Sequence, residues 1–165
     1  MADDKPLVVY AGSYADGFEA ETDFREIKAA HHAGLIDKYQ SALFTKEDDG
    51  TVKVLNTDST TRGSGAKWGL ATGAVVGLLF PPSLIAGLIW GGGIGTLVGH
   101  LAKGWSHKDI KELGETLEVG QSGVVLVAET PSDLAAELIL KRATKSQMKE
   151  IKDNASEIRT ALDDD

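Results

Sequence analysis

Between Gly65 and Gly99 the chain sets glycine at every fourth position, in two runs. The first is Gly65, Gly69, Gly73 and Gly77; the second is Gly87, Gly91, Gly95 and Gly99, with Pro81 and Pro82 between them. Residues four apart share one face of a helix. Each glycine in a helix interior costs roughly 1 kcal/mol against alanine, so the eight together cost on the order of 8 kcal/mol. Something must offset that. Small residues at i, i+4 and i+8 do so by letting two helix backbones approach closely. The spacing therefore predicts a glycine-zipper helical hairpin, with helices over about 65–80 and 84–103. Pro81-Pro82 forms the turn, because proline removes a donor and disfavours helix at the residue before it.

The surroundings of such a hairpin are narrowed by charge. From Trp68 to Ala102 there is no Asp, Glu, Lys or Arg. Three environments compete: a bilayer, the apolar interface of a water-soluble homo-oligomer, and a mobile glycine-rich loop, against which the strict spacing speaks. The apolar run of the second helix spans roughly 28 Å and that of the first about 20 Å, against a bilayer core of about 30 Å. A shallow or re-entrant hairpin fits these lengths better than two clean spans. Arg62 and Lys67 precede the window, and Lys103, Lys108 and Lys111 follow it, on one side of a hairpin as the positive-inside rule asks. Trp68 and Trp105 stand at its two mouths. They either form an aromatic belt or pack on a soluble domain. Trp68, Trp105, Lys67 and Lys103 are thus the membrane-interface candidates.

The rest of the 165-residue chain is polar, with a net charge of −8. That argues against a nucleic-acid partner, since phosphate needs a basic surface. Absence of cysteine removes disulfides and thiolate chemistry and fits a reducing compartment. The first residues, MADDKPLVVYAGSY, carry acid where a signal peptide needs base. The expectation is a cytoplasmic protein that can associate with the cytoplasmic membrane.

Around the apolar window the pattern alternates between strand and helix. PLVVYAGSY predicts a strand ending in a Gly/Ser turn. Asp16 and Glu19 form a capping box for a helix carrying Ala20, Phe24, Ile27, His31 and Leu35, terminated at Gly34. KYQSALFTK and TVKVLNT are strands joined through Asp49-Gly50, a hairpin signal. After the window, Ser106 caps a helix with Ile110, Leu113 and Leu117, and SGVVLVAET is a fourth strand. Thr130-Pro131 with Asp133 opens a short helix. Thr144 and Gln147 cap a last one bearing Met148, Ile151, Ala155, Ile158 and Leu162. Omitting the window leaves strand, helix, strand, strand, helix, strand, the split βαβ order. The predicted class is α+β: a ferredoxin-like sheet over 1–57 and 106–130, an inserted glycine-zipper hairpin over 58–105, and a helical tail over 131–165.

Signals for chemistry are weak. Gly93, Gly95 and Gly99 imitate a dinucleotide fingerprint but continue a helical phase instead of following a strand. His31 and His32 are adjacent and so face different sides of a helix; His31 falls at the core edge. His100 and His107 show no metal-ligand spacing. No nucleophile elbow occurs, and the many carboxylates have solvation as their ordinary role. No catalytic, cofactor or metal residue is assigned. Lys141, Arg142, Lys145, Lys149 and Lys152 form a basic strip on the predicted last helices. It either lies on anionic lipid or pairs with Glu150, Asp153 and Glu157.

The combination of LVVYAGSY, a hairpin, GLATGAVVGLLFPPSLIAGLIWGGGIGTLVGHL and LGETLEVGQSGVVLVAE resembles a bacterial, largely actinobacterial, family of unknown function described as predicted membrane proteins. The resemblance covers roughly residues 7–140 and implies a membrane-associated or oligomeric protein without transferable catalytic residues. The expected function is non-enzymatic: a self-associating protein whose hairpin enters a membrane or drives homo-oligomer assembly. The rival is a small-molecule-binding module or enzyme using the sheet face near His31.

Overall fold

The computed structural model describes residues 7–60, 85–86, 108, 120–129 and 139–150. All eight glycines expected to form the zipper, Pro81, Pro82, Trp68, Trp105, Lys67 and Lys103 lie outside the described residues, as do the segment 131–138 and everything after Glu150.

Strand β1 (Leu7–Tyr14) leads into helix α1 (Gly17–His32), then β2 (Tyr39–Lys46) and β3 (Val52–Ser59). A two-residue strand β4 (Ile85–Ala86), then β5 (Ser122–Glu129) and β6 (Lys145–Glu150), complete the order. Five strands pair antiparallel as β3-β2-β5-β1-β6, and β4 joins β3 in parallel at Val52 and Lys53. Because β5 is antiparallel to both β1 and β2, those two run parallel to each other with β5 in the gap. The four strands expected from the sequence are present, but β3 is not where a split βαβ reading of that order would put it. It lies outside β2, and β5 occupies the interior. The β5 run VVLVA is apolar at every position, which suits a strand buried on both faces, whereas VKVLNTDS suits an edge.

α1 begins and ends as its sequence predicts. The Asp16 side chain accepts from Phe18 N at 2.9 Å, satisfying one orphan donor of the first turn. At the other end Gly34 takes φ +81°, Gly34 N donates to His31 O and Leu35 N to Ala30 O, a Schellman closure that favours glycine. Ala20, Phe24 and Ile27 are buried against the sheet, meeting Val8, Tyr10, Tyr14, Tyr39, Leu43, Val124, Leu126 and Ala128. The opposite sheet face, with Val9, Ala11, Ala42, Phe44, Val125 and Val127, is buried as fully. Neither sheet face needs a second copy of the chain to shield it.

Three local expectations are corrected. β1 does not turn at Gly12-Ser13: Gly12 is paired on both sides, with Val124 and Ser146. A Cβ there would stand 3.0 Å from the Ala143 Cβ, so the glycine serves close approach rather than a turn. Residues 145–150 are a strand, not the start of the helix predicted from Thr144; the unfilled edge of β1 overrides helix propensity. Ile85 and Ala86, expected in the second zipper helix, are extended on β3, where pairing with Val52 and Lys53 overrides the helical spacing.

Candidate functional site

The charged group most deeply placed among the described residues is Asp23, 1% exposed on α1. Its position follows from helical spacing. It lies three residues after Ala20 and four before Ile27, so it shares the buried stripe. A buried carboxylate must be partnered, and this one accepts three hydrogen bonds. Tyr14 Oη donates to Oδ2 at 2.8 Å, Arg142 N to the same oxygen at 2.9 Å, and the Arg142 guanidinium to Oδ1 at 2.7 Å. The same guanidinium nitrogen reaches Glu26 Oε2 at 3.0 Å, and Lys141 Nζ lies 3.5 Å from that oxygen.

The network fastens α1 to the turn that launches β6. Leu140 is buried there with φ +56°, a left-handed conformation that costs a non-glycine residue roughly 1–2 kcal/mol. Ala143 N donates to Leu140 O, and Thr144 N to Ser13 O. The strained turn is thus held at both ends, by Asp23 on one side and by β1 on the other. Electrostatics agree with the geometry. Burial, then the hydrogen bond to Asp23, pushes the Tyr14 phenol far above its ordinary value. The hydrogen bond from Arg142 holds the Glu26 carboxyl below the usual carboxylate range, against a smaller opposing effect of burial. Asp23 thus accepts three hydrogen bonds inside the core and fastens α1 to the turn before β6.

A second polar group closes the other end of the sheet. Tyr39 Oη donates to Asp58 Oδ2 at 2.6 Å. Burial, then this hydrogen bond, raises the phenol well above its usual range. The half-buried His31 ring lies 5.5 Å from that of Tyr39, with Nδ1 3.1 Å from Ile36 O. This is the core-edge position expected for His31. Among the described residues no group of three or more His, Asp or Glu side chains is placed to hold a metal ion. No described helix is long and apolar enough to cross a membrane.

Two sequence expectations change at this site. The basic strip is not one helical face: Lys141 and Arg142 sit in a turn and pair with α1 carboxylates, while Lys145 belongs to β6. Asp23 was hidden among surface carboxylates, although a carboxylate in register with Ala20 and Ile27 is itself the signal of a buried pair.

No curated protein and no solved structure matches the chain. Over residues 66–162, more than half of its length, it matches the model of a family described as "Protein of unknown function (DUF1269)". The matched stretch contains the periodic glycines from Gly69 onward, Pro81 and Pro82, β4, β5 and β6 together with Arg142, and the chain belongs to this family.

Proposed function

We propose that the chain is a non-enzymatic, self-associating cytoplasmic protein. A sheet domain of ferredoxin-like order, with β1, β2, β5 and β6 as its four framework strands and β3 as an addition, carries the glycine-zipper segment. That segment brings copies of the chain together, in a soluble assembly or at the cytoplasmic membrane. The observation that carries this reading is the four-residue glycine period inside a window free of Asp, Glu, Lys and Arg from Trp68 to Ala102. The pairing of Ile85 and Ala86 with β3 supports the soluble arm. The polar network around Asp23 supports a structural rather than catalytic use of the domain's buried charge.

Sedimentation without detergent tests the reading. The wild type is expected above monomer mass. Gly73→Leu and Gly95→Leu are expected to weaken the assembly, since overpacking a close contact costs about 1–3 kcal/mol. A strict monomer at all concentrations, with no flotation on liposomes, overturns it. Flotation of the wild type but not of Leu84→Asp/Leu88→Asp selects the membrane arm.

A further inference from the structure

We infer that Asp49-Gly50, at the tip of the β2–β3 hairpin, is a site of spontaneous backbone modification that leaves an isoaspartate, and that the folded turn gates it. The sequence holds Asp-Gly twice, at Asp16-Gly17 and Asp49-Gly50, and glycine suits the reaction because no Cβ crowds its nitrogen. The Gly50 nitrogen attacks Asp49 Cγ and gives up its proton. The new C–N bond forms as the Cγ–OH bond of the protonated carboxyl breaks, and water leaves. A five-membered succinimide results. Water then adds back to one of its two carbonyls. Cleaving the nitrogen from Cγ restores aspartate. Cleaving it from the Asp49 main-chain carbon gives isoaspartate, whose main chain runs through Cβ and Cγ. No co-reactant other than water takes part, and nothing in this chemistry depends on self-association.

The two pairs are held differently, although both aspartates are exposed. Asp16 caps α1. Its side chain accepts from Phe18 N, its carbonyl accepts from Ala20 N at 3.2 Å, and Ala20 is wholly buried. Closing the ring there swings the Gly17 peptide out of a helix packed on the sheet. Asp49 sits instead in a turn closed by Gly50 N donating to Glu47 O at 2.9 Å and Glu47 N to Thr51 O at 2.7 Å. Glu47, Asp48 and Asp49 are exposed, so the tip opens without disturbing the core. Local opening costs least where backbone hydrogen bonds face solvent. While closed, the turn restrains both reacting groups. The Gly50 N–H is occupied by Glu47 O. Hydrogen bonds from the Thr51 side chain, then from its N–H at 2.9 Å to Oδ1, hold the Asp49 carboxyl below the usual carboxylate range. An ionised carboxylate is the poorer electrophile. Modification therefore follows opening of the tip. Its product lengthens the main chain by one carbon just ahead of Val52 and Lys53, the residues that pair with β4.

Incubating the full chain in mildly acidic buffer, native and in denaturing urea, tests this. After digestion, isoaspartate is located by peptide mass spectrometry with main-chain fragmentation. In the native chain it is expected at Asp49 and not at Asp16; in urea, at both. The native rate at Asp49 is expected to be roughly tenfold or more below the rate in urea, the mark of a gate. Thr51→Ala is expected to raise the native rate about threefold, as the loss of one hydrogen bond would, and to leave the rate in urea unchanged. Asp49→Glu, which would need a six-membered ring, is expected to abolish the signal. Equal rates at Asp16 and Asp49 in the native chain, or no isoaspartate at Asp49, overturn the inference. Equal native and urea rates at Asp49, or a native rate that Thr51→Ala leaves unchanged, overturn the gate.

Discussion

The two edges of this sheet are built in opposite ways. On the β3 side the ladder is broken. Leu43 pairs with Asn56 and Phe44 with Val54, so Leu55 is an extra, half-exposed residue, a bulge that bends the strand and increases its twist. β4 then caps the first two residues of β3. On the β6 side the ladder is regular, and what fixes the strand is the clamp on the turn before it. One edge is blunted by geometry, whereas the other is fastened by charge and left straight. A bulge makes an edge a poor template for further pairing, whereas a clamp acts on the turn that leads into the strand.

The largest expected effect comes from cutting the clamp. Asp23→Ala leaves the Tyr14 hydroxyl and Arg142 N–H without their acceptor inside the core and should cost about 2–4 kcal/mol. Native-state hydrogen exchange should show protection falling first in 145–150 and only later in 52–59. Equal loss along both strands would mean that the clamp stabilises the whole sheet rather than its edge.

A pH titration separates the two sides next, because each holds a buried phenol. Tyr14 on the clamp side and Tyr39, bonded to Asp58, on the β3 side both have folded pKa values raised above the ordinary 10. A raised folded value means that the folded state keeps a proton the unfolded chain gives up. The stabilisation is therefore complete below pH 10 and is lost as pH rises beyond it. For Tyr14, the more deeply buried phenol, the loss approaches about 1.4 kcal/mol per pH unit. Thermal melts from pH 8 to 11 should steepen above pH 10 for the wild type. Tyr14→Phe and Tyr39→Phe should each flatten the slope by a similar amount, because both phenols stay protonated in the folded chain over this range.

The smallest effect is expected at the bulge. Leu55→Lys on the exposed β3 edge should change stability by no more than about 0.5 kcal/mol. It should leave self-association untouched, in contrast to Gly95→Leu in the glycine segment. A loss of assembly at Leu55→Lys would move the interface to the β3 side.

Much of the sheet was legible because its signals are local. Asp16, Gly34 and Asp49-Gly50 mark boundaries through their own backbone chemistry, β1 and β5 carry apolar runs that suit strands buried on both faces, and β2 alternates. β6 was not legible. Lys145-Ser-Gln-Met-Lys-Glu, with Ile151 following, has helix formers and helical spacing; only the vacant edge of β1, more than 130 residues earlier in the chain, makes it a strand. The position of β3 was hidden for the same reason, since strand order is decided by pairings that no window of sequence contains. The clamp lay between these extremes. Asp23 could be found from the phase of Ala20 and Ile27, but Arg142, 119 residues away, could not be identified as its partner.

The place of β5 between β1 and β2 also bears on how the chain is made. Both neighbours of β5 leave the ribosome before it does, and they stay unjoined until about 80 further residues have been added, roughly 4–16 s at ordinary elongation rates. During that interval the charge-free stretch from Trp68 to Ala102 emerges beside an unfinished sheet. Whatever attends the nascent chain meets two open strands and an apolar segment at once, and the arrival of Ser122–Glu129 ends the exposure of the strands.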